Sequence, residues 1–212
     1  MARTTVASHV GSREPRVRRG YFECRYGQLH VHNAIPPGGG FEEGTSLLCI
    51  HAAGMSGRLF QKFLPLAGRD RSVYAPDLPG SGESDPSGQR ANAADFAAAL
   101  GDFLDSMRFR QIDVLGYHSG SLVAIELAIA RPQQIRRVAL VGVPDSARER
   151  ISLMTTQSVM VLRPRDDLWE STQRMRDRLP RARFVDLPDQ GPTLFDVSSE
   201  AVANALRPFI QG

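Results

Sequence analysis

The stretch Gln111–Arg131, Q-I-D-V-L-G-Y-H-S-G-S-L-V-A-I-E-L-A-I-A-R, constrains this chain more than any other. Ile112, Val114 and Leu115 form a short apolar run that reads as a strand. Gly116 and Gly120 bracket a sharp turn, and Leu122, Val123, Ile125, Leu127 and Ile129 then recur at helical spacing. Small residues two positions before and after the tip let the backbone fold that tightly. Strand, turn and helix in this order hold one side chain, in a strained conformation, above the end of a sheet. In the box Gly116-Tyr117-His118-Ser119-Gly120 the displayed residue is His118.

The rest of the chain supplies more strands and helices in alternation. Residues 19–34 alternate around Tyr26-Gly27-Gln28 and predict a hairpin. Pro36-Pro37-Gly38-Gly39-Gly40 forces a loop. Strands are expected at 45–51, 72–78, 137–143, 158–162 and 182–187. Helices are expected at 56–67, 91–106, 168–179 and 198–210. Strands separated by helices pair in parallel, with helices on both faces. The expected fold is therefore α/β, a mostly parallel sheet of about eight strands. Its ligands belong beyond the carboxyl ends of the strands.

At 212 residues, one domain over 19–212 behind a flexible basic lead of 1–18 is the simplest division. The net charge of +3 raises the question of nucleic acid. The arginines are scattered, however, and the cluster Arg13, Arg16, Arg18, Arg19 reads as a solvated tail, so neither nucleic acid nor membrane is an expected partner. No apolar run is long enough to cross a bilayer. The first twenty residues lack the apolar segment of a secretory signal, which makes the cytoplasm the expected location. Cys24 and Cys49 read as buried thiols within strands, not as a disulfide or metal framework.

Over roughly residues 20–212 the chain resembles the α/β-hydrolase superfamily. His51-Ala52-Ala53-Gly54 resembles its histidine-glycine oxyanion loop, and Asp77-Leu78-Pro79-Gly80-Ser81-Gly82-Glu83-Ser84 its loop after the fourth strand. The 111–131 stretch is similar to its nucleophile elbow. Arg163-Pro164-Arg165-Asp166-Asp167 lies where the family carries its acid, and the resemblance puts that acid at Asp167. Leu187-Pro188-Asp189-Gln190-Gly191-Pro192 resembles the loop that delivers the catalytic histidine. Three departures stand out: His118 replaces the usual serine, Pro192 falls on the histidine position, and about fifteen residues occupy the place of a helical cap.

The five histidines are His9, His30, His32, His51 and His118, and none follows residue 118. Nucleophile, acid and histidine therefore cannot be completed in the family's order. A carboxylate alone titrates near 4 and is a poor acceptor for a hydroxyl proton, so serine hydrolysis is not expected. The expected catalytic pair is His118 oriented by Asp167, set against drift in a dead pocket for the histidine and helix capping for the aspartate. The resemblance implies an oxyanion hole of the Ala53 and Ser119 amides. The Ser119 side chain should turn away, under the helix or onto its first turn.

His51, Met55, Ser56, Tyr117 and Trp169 are candidate substrate contacts, although propping the oxyanion loop competes for His51 and packing at a helix start for Trp169. Asp145 is a further candidate acid, against a solvated loop residue. His30 and His32 share a strand face but have no evident partners in the sequence for a metal. A nicotinamide or flavin fingerprint and a phosphate loop are absent, so a site without cofactor or metal is expected.

Three functions follow. One is acid/base chemistry (cyclisation, elimination, isomerisation or decarboxylation) on a small carbonyl or polyketide-like metabolite. A second is a residual ester, lactone or epoxide hydrolase in which His118 activates water. The third is a silent ligand-binding or partner-binding module. An uncapped pocket with an apolar rim would also invite a homodimer.

Overall fold

A hairpin of β1 (Val17–Cys24) and β2 (Gly27–Ala34) forms one edge of an eight-stranded sheet. The computed structural model describes residues 14–37, 43–88, 90–187 and 193–212. β2 pairs antiparallel with β4 (Val73–Pro76). From β4 the sheet continues in parallel through β3 (Leu47–Ile50), β5 (Ile112–Tyr117), β6 (Ile135–Val141), β7 (Ser158–Pro164) and β8 (Arg183–Leu187). The expected sheet is thus present. The hairpin begins at Val17, inside the stretch expected as a lead, and turns on Arg25-Tyr26, because Cys24 pairs with Gly27. Residues 1–13 of that lead, and 188–192 with Pro192, lie outside the described residues.

Both faces of the central strands are covered, and alternate residues divide between two cores. Leu48, Ile50, Val114, Val159 and Val161 face α2 (Ala93–Ser106) and α3 (Ser119–Ala130). Leu47, Cys49, Leu115, Met160 and Leu162 face α1 (Phe63–Ala67), α6 (Leu194–Val197) and α7 (Ser199–Gln211). α2 starts where Asn92 and Asp95 form a reciprocal capping box. The helix expected over 56–67 breaks into a 3-10 turn at Gly57–Phe60 and α1. That over 168–179 shortens to α5 (Trp169–Arg174) and a 3-10 turn at Met175–Asp177.

The segment between β6 and β7 is too short to roof anything. It holds a 3-10 turn (Asp145–Ala147) and α4 (Arg148–Ile151). Ala147 and Ile151 are buried in the core that α3 lines, and Arg150 holds Glu126 on α3 through two hydrogen bonds of 2.6 and 2.7 Å. It packs against α3, and among the described residues no large cap covers the carboxyl ends of the strands.

Candidate active site

The turn between β5 and α3 forces His118 to φ 50° and ψ −120°. Among the described residues, only Arg108 is another non-glycine with positive φ. Backbone in this region stores about 1–3 kcal/mol, held by the packing around it. A Cβ at Gly120 would sit 2.5 Å from the carbonyl oxygens of Ile50 and His51, and one at Gly116 would sit 2.6 Å from that of Gly120. Neither position has room for a side chain.

The imidazole leans toward the end of β7. Its Nε2 lies 2.9 Å from Oδ2 of Asp166, whose side chain is buried. A carboxylate only accepts, so this bond places the proton on Nε2 and leaves Nδ1 with a lone pair. The ring rests on Tyr117 (centroids 4.1 Å apart), which meets Phe195 edge-on at 5.3 Å. Gly142 makes the slot: a Cβ there would stand 2.8 Å from His118 Cδ2, and φ at this residue is +63°. Sequence reading passed over Gly142, although a glycine ending a strand beside the elbow strand was a usable signal.

The partner is Asp166, one residue before the expected Asp167. β7 runs on to Pro164, and a tight turn follows in which the Asp166 N–H donates to the Pro164 carbonyl. That turn aims Asp166 inward and leaves Asp167 exposed, although one oxygen of Asp167 stays within 4.8 Å of the His118 and Asp166 ligand atoms. Both carboxylate oxygens of Asp166 are engaged. Oδ2 meets His118, while Oδ1 accepts the Leu168 N–H at 2.9 Å, just before α5.

Ser119 heads α3 and is exposed, not tucked under the helix. Helical side chains lean toward the amino terminus, which carries its Oγ over the oxyanion loop, where it accepts the Ala53 N–H at 2.7 Å. This hydroxyl therefore occupies the Ala53 N–H.

Several expected contact residues are buried or packed within the protein. His51 is fully buried: its Nε2 accepts the Leu78 N–H at 2.9 Å, so Nδ1 carries the proton and donates to the Ala52 carbonyl at 2.8 Å. Both ring nitrogens are thus engaged within the protein. Tyr117 is also buried, and burial followed by the nearby Asp166 and Asp167 charges pushes its hydroxyl up to about 12. It is the floor beneath His118. Trp169 is covered by the guanidinium groups of Arg163 and Arg165, 3.6 and 4.7 Å from its centroid. Met55 and Ser56 do line an open groove, with Arg58, Leu59, Gln61, Lys62 and Asp196. Asp145 pairs with Arg174 at the surface.

His30 and His32 do have partners. β2 pairs with β4, and the loop after β4 folds back to place Asp77 and Glu83 beside them.

Burial holds the His51 ring below its ordinary pKa, and His32 shifts the same way for the same first reason. Between the folded value and about 6.5 the unfolded chain therefore binds more protons than the native one. The contribution of these rings is fully present above about pH 6.5 and is lost as the pH drops through that window. Urea unfolding at pH 7.5 and 5.5 should show the loss, and His51→Gln should reduce it. An equal loss in that variant would assign the effect elsewhere.

A sequence model described as alpha/beta hydrolase fold matches residues 45–185. Pyrrolizixenacetamide deacetylase from Xenorhabdus hominickii is 28% identical over 108 residues, 50% of this chain and 41% of that protein. 2-Hydroxy-6-oxononadienedioate/2-hydroxy-6-oxononatrienedioate hydrolase 2 from Pseudomonas putida is 27% identical over 162 residues, 74% and 54% of the two chains. The chain thus spans about half the length of these curated relatives. Among solved structures, a "predicted CIB-like hydrolase" from Thermoplasma acidophilum superposes with a TM-score of 0.81 at 14% identity, covering 93% of this chain and 99% of that one.

Proposed function

Since the chain belongs to the α/β-hydrolase fold family, we propose that it uses the family's site for acid/base chemistry without a serine nucleophile. The substrate class is a small carbonyl-bearing or polyketide-like metabolite, and no cofactor is needed. The observation that carries this reading is the 2.9 Å bond from His118 Nε2 to the buried Asp166. Asp166 fixes the tautomer and stabilises the imidazolium, so Nδ1 is the atom that takes and returns a proton. The Ser119 amide, at the positive end of α3, and the Ser119 hydroxyl, polarised by Ala53, face the developing enolate or oxyanion. A general base beside anion-stabilising donors is sufficient for elimination, isomerisation, cyclisation or decarboxylation.

A second reading has support in the relatives, which are named as a deacetylase and a hydrolase. Here Nδ1 takes a proton from water, which attacks an ester, lactone or epoxide. Turnover in water enriched in heavy oxygen separates the two: the first reading expects no solvent oxygen in the product, and one solvent oxygen per turnover would assign hydrolysis. Ligand binding without turnover, indifferent to His118→Gln, would make the protein a binding module.

A further inference from the structure

The buried face of β2 carries a second cluster that the His118 site does not use. His30 and His32 stand two residues apart and so share one face of the strand. Their rings meet edge to face at 4.6 Å. His30 Nδ1 lies 2.9 Å from Asp77 Oδ2. Asp77 is itself held in place, with Oδ1 accepting the Gly57 N–H at 2.6 Å and Oδ2 the Glu83 N–H at 2.9 Å. This fixed carboxylate puts the His30 proton on Nδ1 and leaves the Nε2 lone pair free. His30 is 1% exposed, and its Nε2 is buried without a hydrogen-bond partner among the described residues. An unmatched buried acceptor is costly and calls for an explanation.

His30 lines an open cleft with His32, Asp77 and Glu83, together with Arg19 and Arg58. Glu83 Oε2 lies 4.0 Å from His30 Nε2, too far for a hydrogen bond. His30, His32 and Asp77 each bring one ligand atom within 4.8 Å of the others. Tyr21 donates its hydroxyl to Glu83 Oε2 at 2.8 Å and steadies that carboxylate.

We propose that His30 Nε2, a His32 ring nitrogen and the Glu83 carboxylate bind one divalent transition-metal ion of the zinc type, with Asp77 as the carboxylate behind His30. An imidazole that donates Nδ1–H to a carboxylate and offers Nε2 is the usual metal-binding arrangement of histidine. Two imidazoles and a carboxylate suit zinc, with a fourth position open to the cleft. Zinc-to-nitrogen bonds of about 2.0–2.1 Å require the ligand atoms to draw together. Glu83 can move, since its side chain is 56% exposed. Asp77 and Glu83 balance the ion's two charges. Arg19 opposes the ion, but its side chain is 67% exposed and free to turn into solvent, and its 3.9 Å pair with Glu83 is a weak surface one.

The test uses the untagged full chain, stripped with chelator and titrated with zinc and with cobalt. Calorimetry gives stoichiometry and affinity, and the cobalt absorption bands report nitrogen and oxygen coordination. One equivalent should bind. His32→Gln and Glu83→Gln should each weaken binding by more than about 100-fold, and Tyr21→Phe, which touches only a ligand's support, by about 10–100-fold. His118→Gln should bind as the parent does, which excludes the cluster of His118, Asp166 and Asp167. Glu83→Gln alters an exposed side chain, so its result stands even if a change at buried His30 impairs folding. Less than one equivalent bound by the parent, unchanged affinity in both ligand variants, or loss of binding in His118→Gln would overturn the proposal.

Discussion

His118→Gln lowers kcat on any substrate the protein turns over by about 10²–10⁴-fold, the contribution of a positioned proton-transfer group. Asp166→Asn should match it for a reason visible in the geometry. Leu168 N–H donates to Oδ1 of Asp166, so an asparagine there keeps its carbonyl on Leu168 and turns its amide toward His118. Nε2 must then accept, the proton moves to Nδ1, and the lone pair facing the substrate is lost. Asp167→Asn alters an exposed carboxylate that is not bonded to the ring, and kcat should stay within a few-fold of the parent. Gly142→Ala adds a Cβ 2.8 Å from the imidazole at a φ of +63°, so it should also cost activity by pushing the ring off Asp166. Steady-state kinetics on the four variants, with circular dichroism to confirm folding, form the measurement. Full activity in Asp166→Asn would remove the dyad from the mechanism, and a larger loss in Asp167→Asn would restore Asp167.

Asp113→Ala should destabilise the fold by about 3–5 kcal/mol, because it takes the carboxylate from Arg136 and leaves buried Arg71 with Asp70 alone. Asp113 is 0% exposed in the middle of β5. It accepts two hydrogen bonds from Arg136, at 3.0 and 2.7 Å, and lies 3.8 Å from Arg71, which is 2% exposed. Both guanidinium groups also reach the Ile210 carbonyl, at 3.3 and 3.1 Å, tying the last turn of α7 to the sheet. At roughly 2–4 °C per kcal/mol for a chain of this size, Tm should fall by about 6–20 °C. Hydrogen exchange should also quicken first in the last turn of α7. Asp113→Asn, which keeps an acceptor, should cost less. A loss under about 1 kcal/mol in Asp113→Ala would mean that the two arginines find water or other acceptors.

Pattern in the sequence was enough for the architecture. Leu47–Ile50 and Ile112–Tyr117 are apolar on both alternating faces, which only a sheet covered on both sides accommodates. The small residues at Gly116 and Gly120 placed His118 at the tip because the turn closes nowhere else. Asp113 was visible as a carboxylate inside an apolar strand, yet its partners Arg71 and Arg136 come from β4's approach and from β6. A strand period says which face a residue takes, not which distant charge it meets.

The sequence alone determined the sheet, the elbow, the displaced histidine and the short connection in place of a cap, since all of these follow from local backbone preference and apolar spacing. Tertiary structure decided which of two adjacent aspartates meets the ring, that the Ser119 hydroxyl covers the Ala53 amide, that Gly142 makes room for an imidazole, and that His30 and His32 face two carboxylates. Each of these depends on a turn placing side chains from separate strands within about 3–5 Å of one another. Local preference fixes the path of the chain, whereas hydrogen bonding between its parts depends on angles that only the packed fold sets.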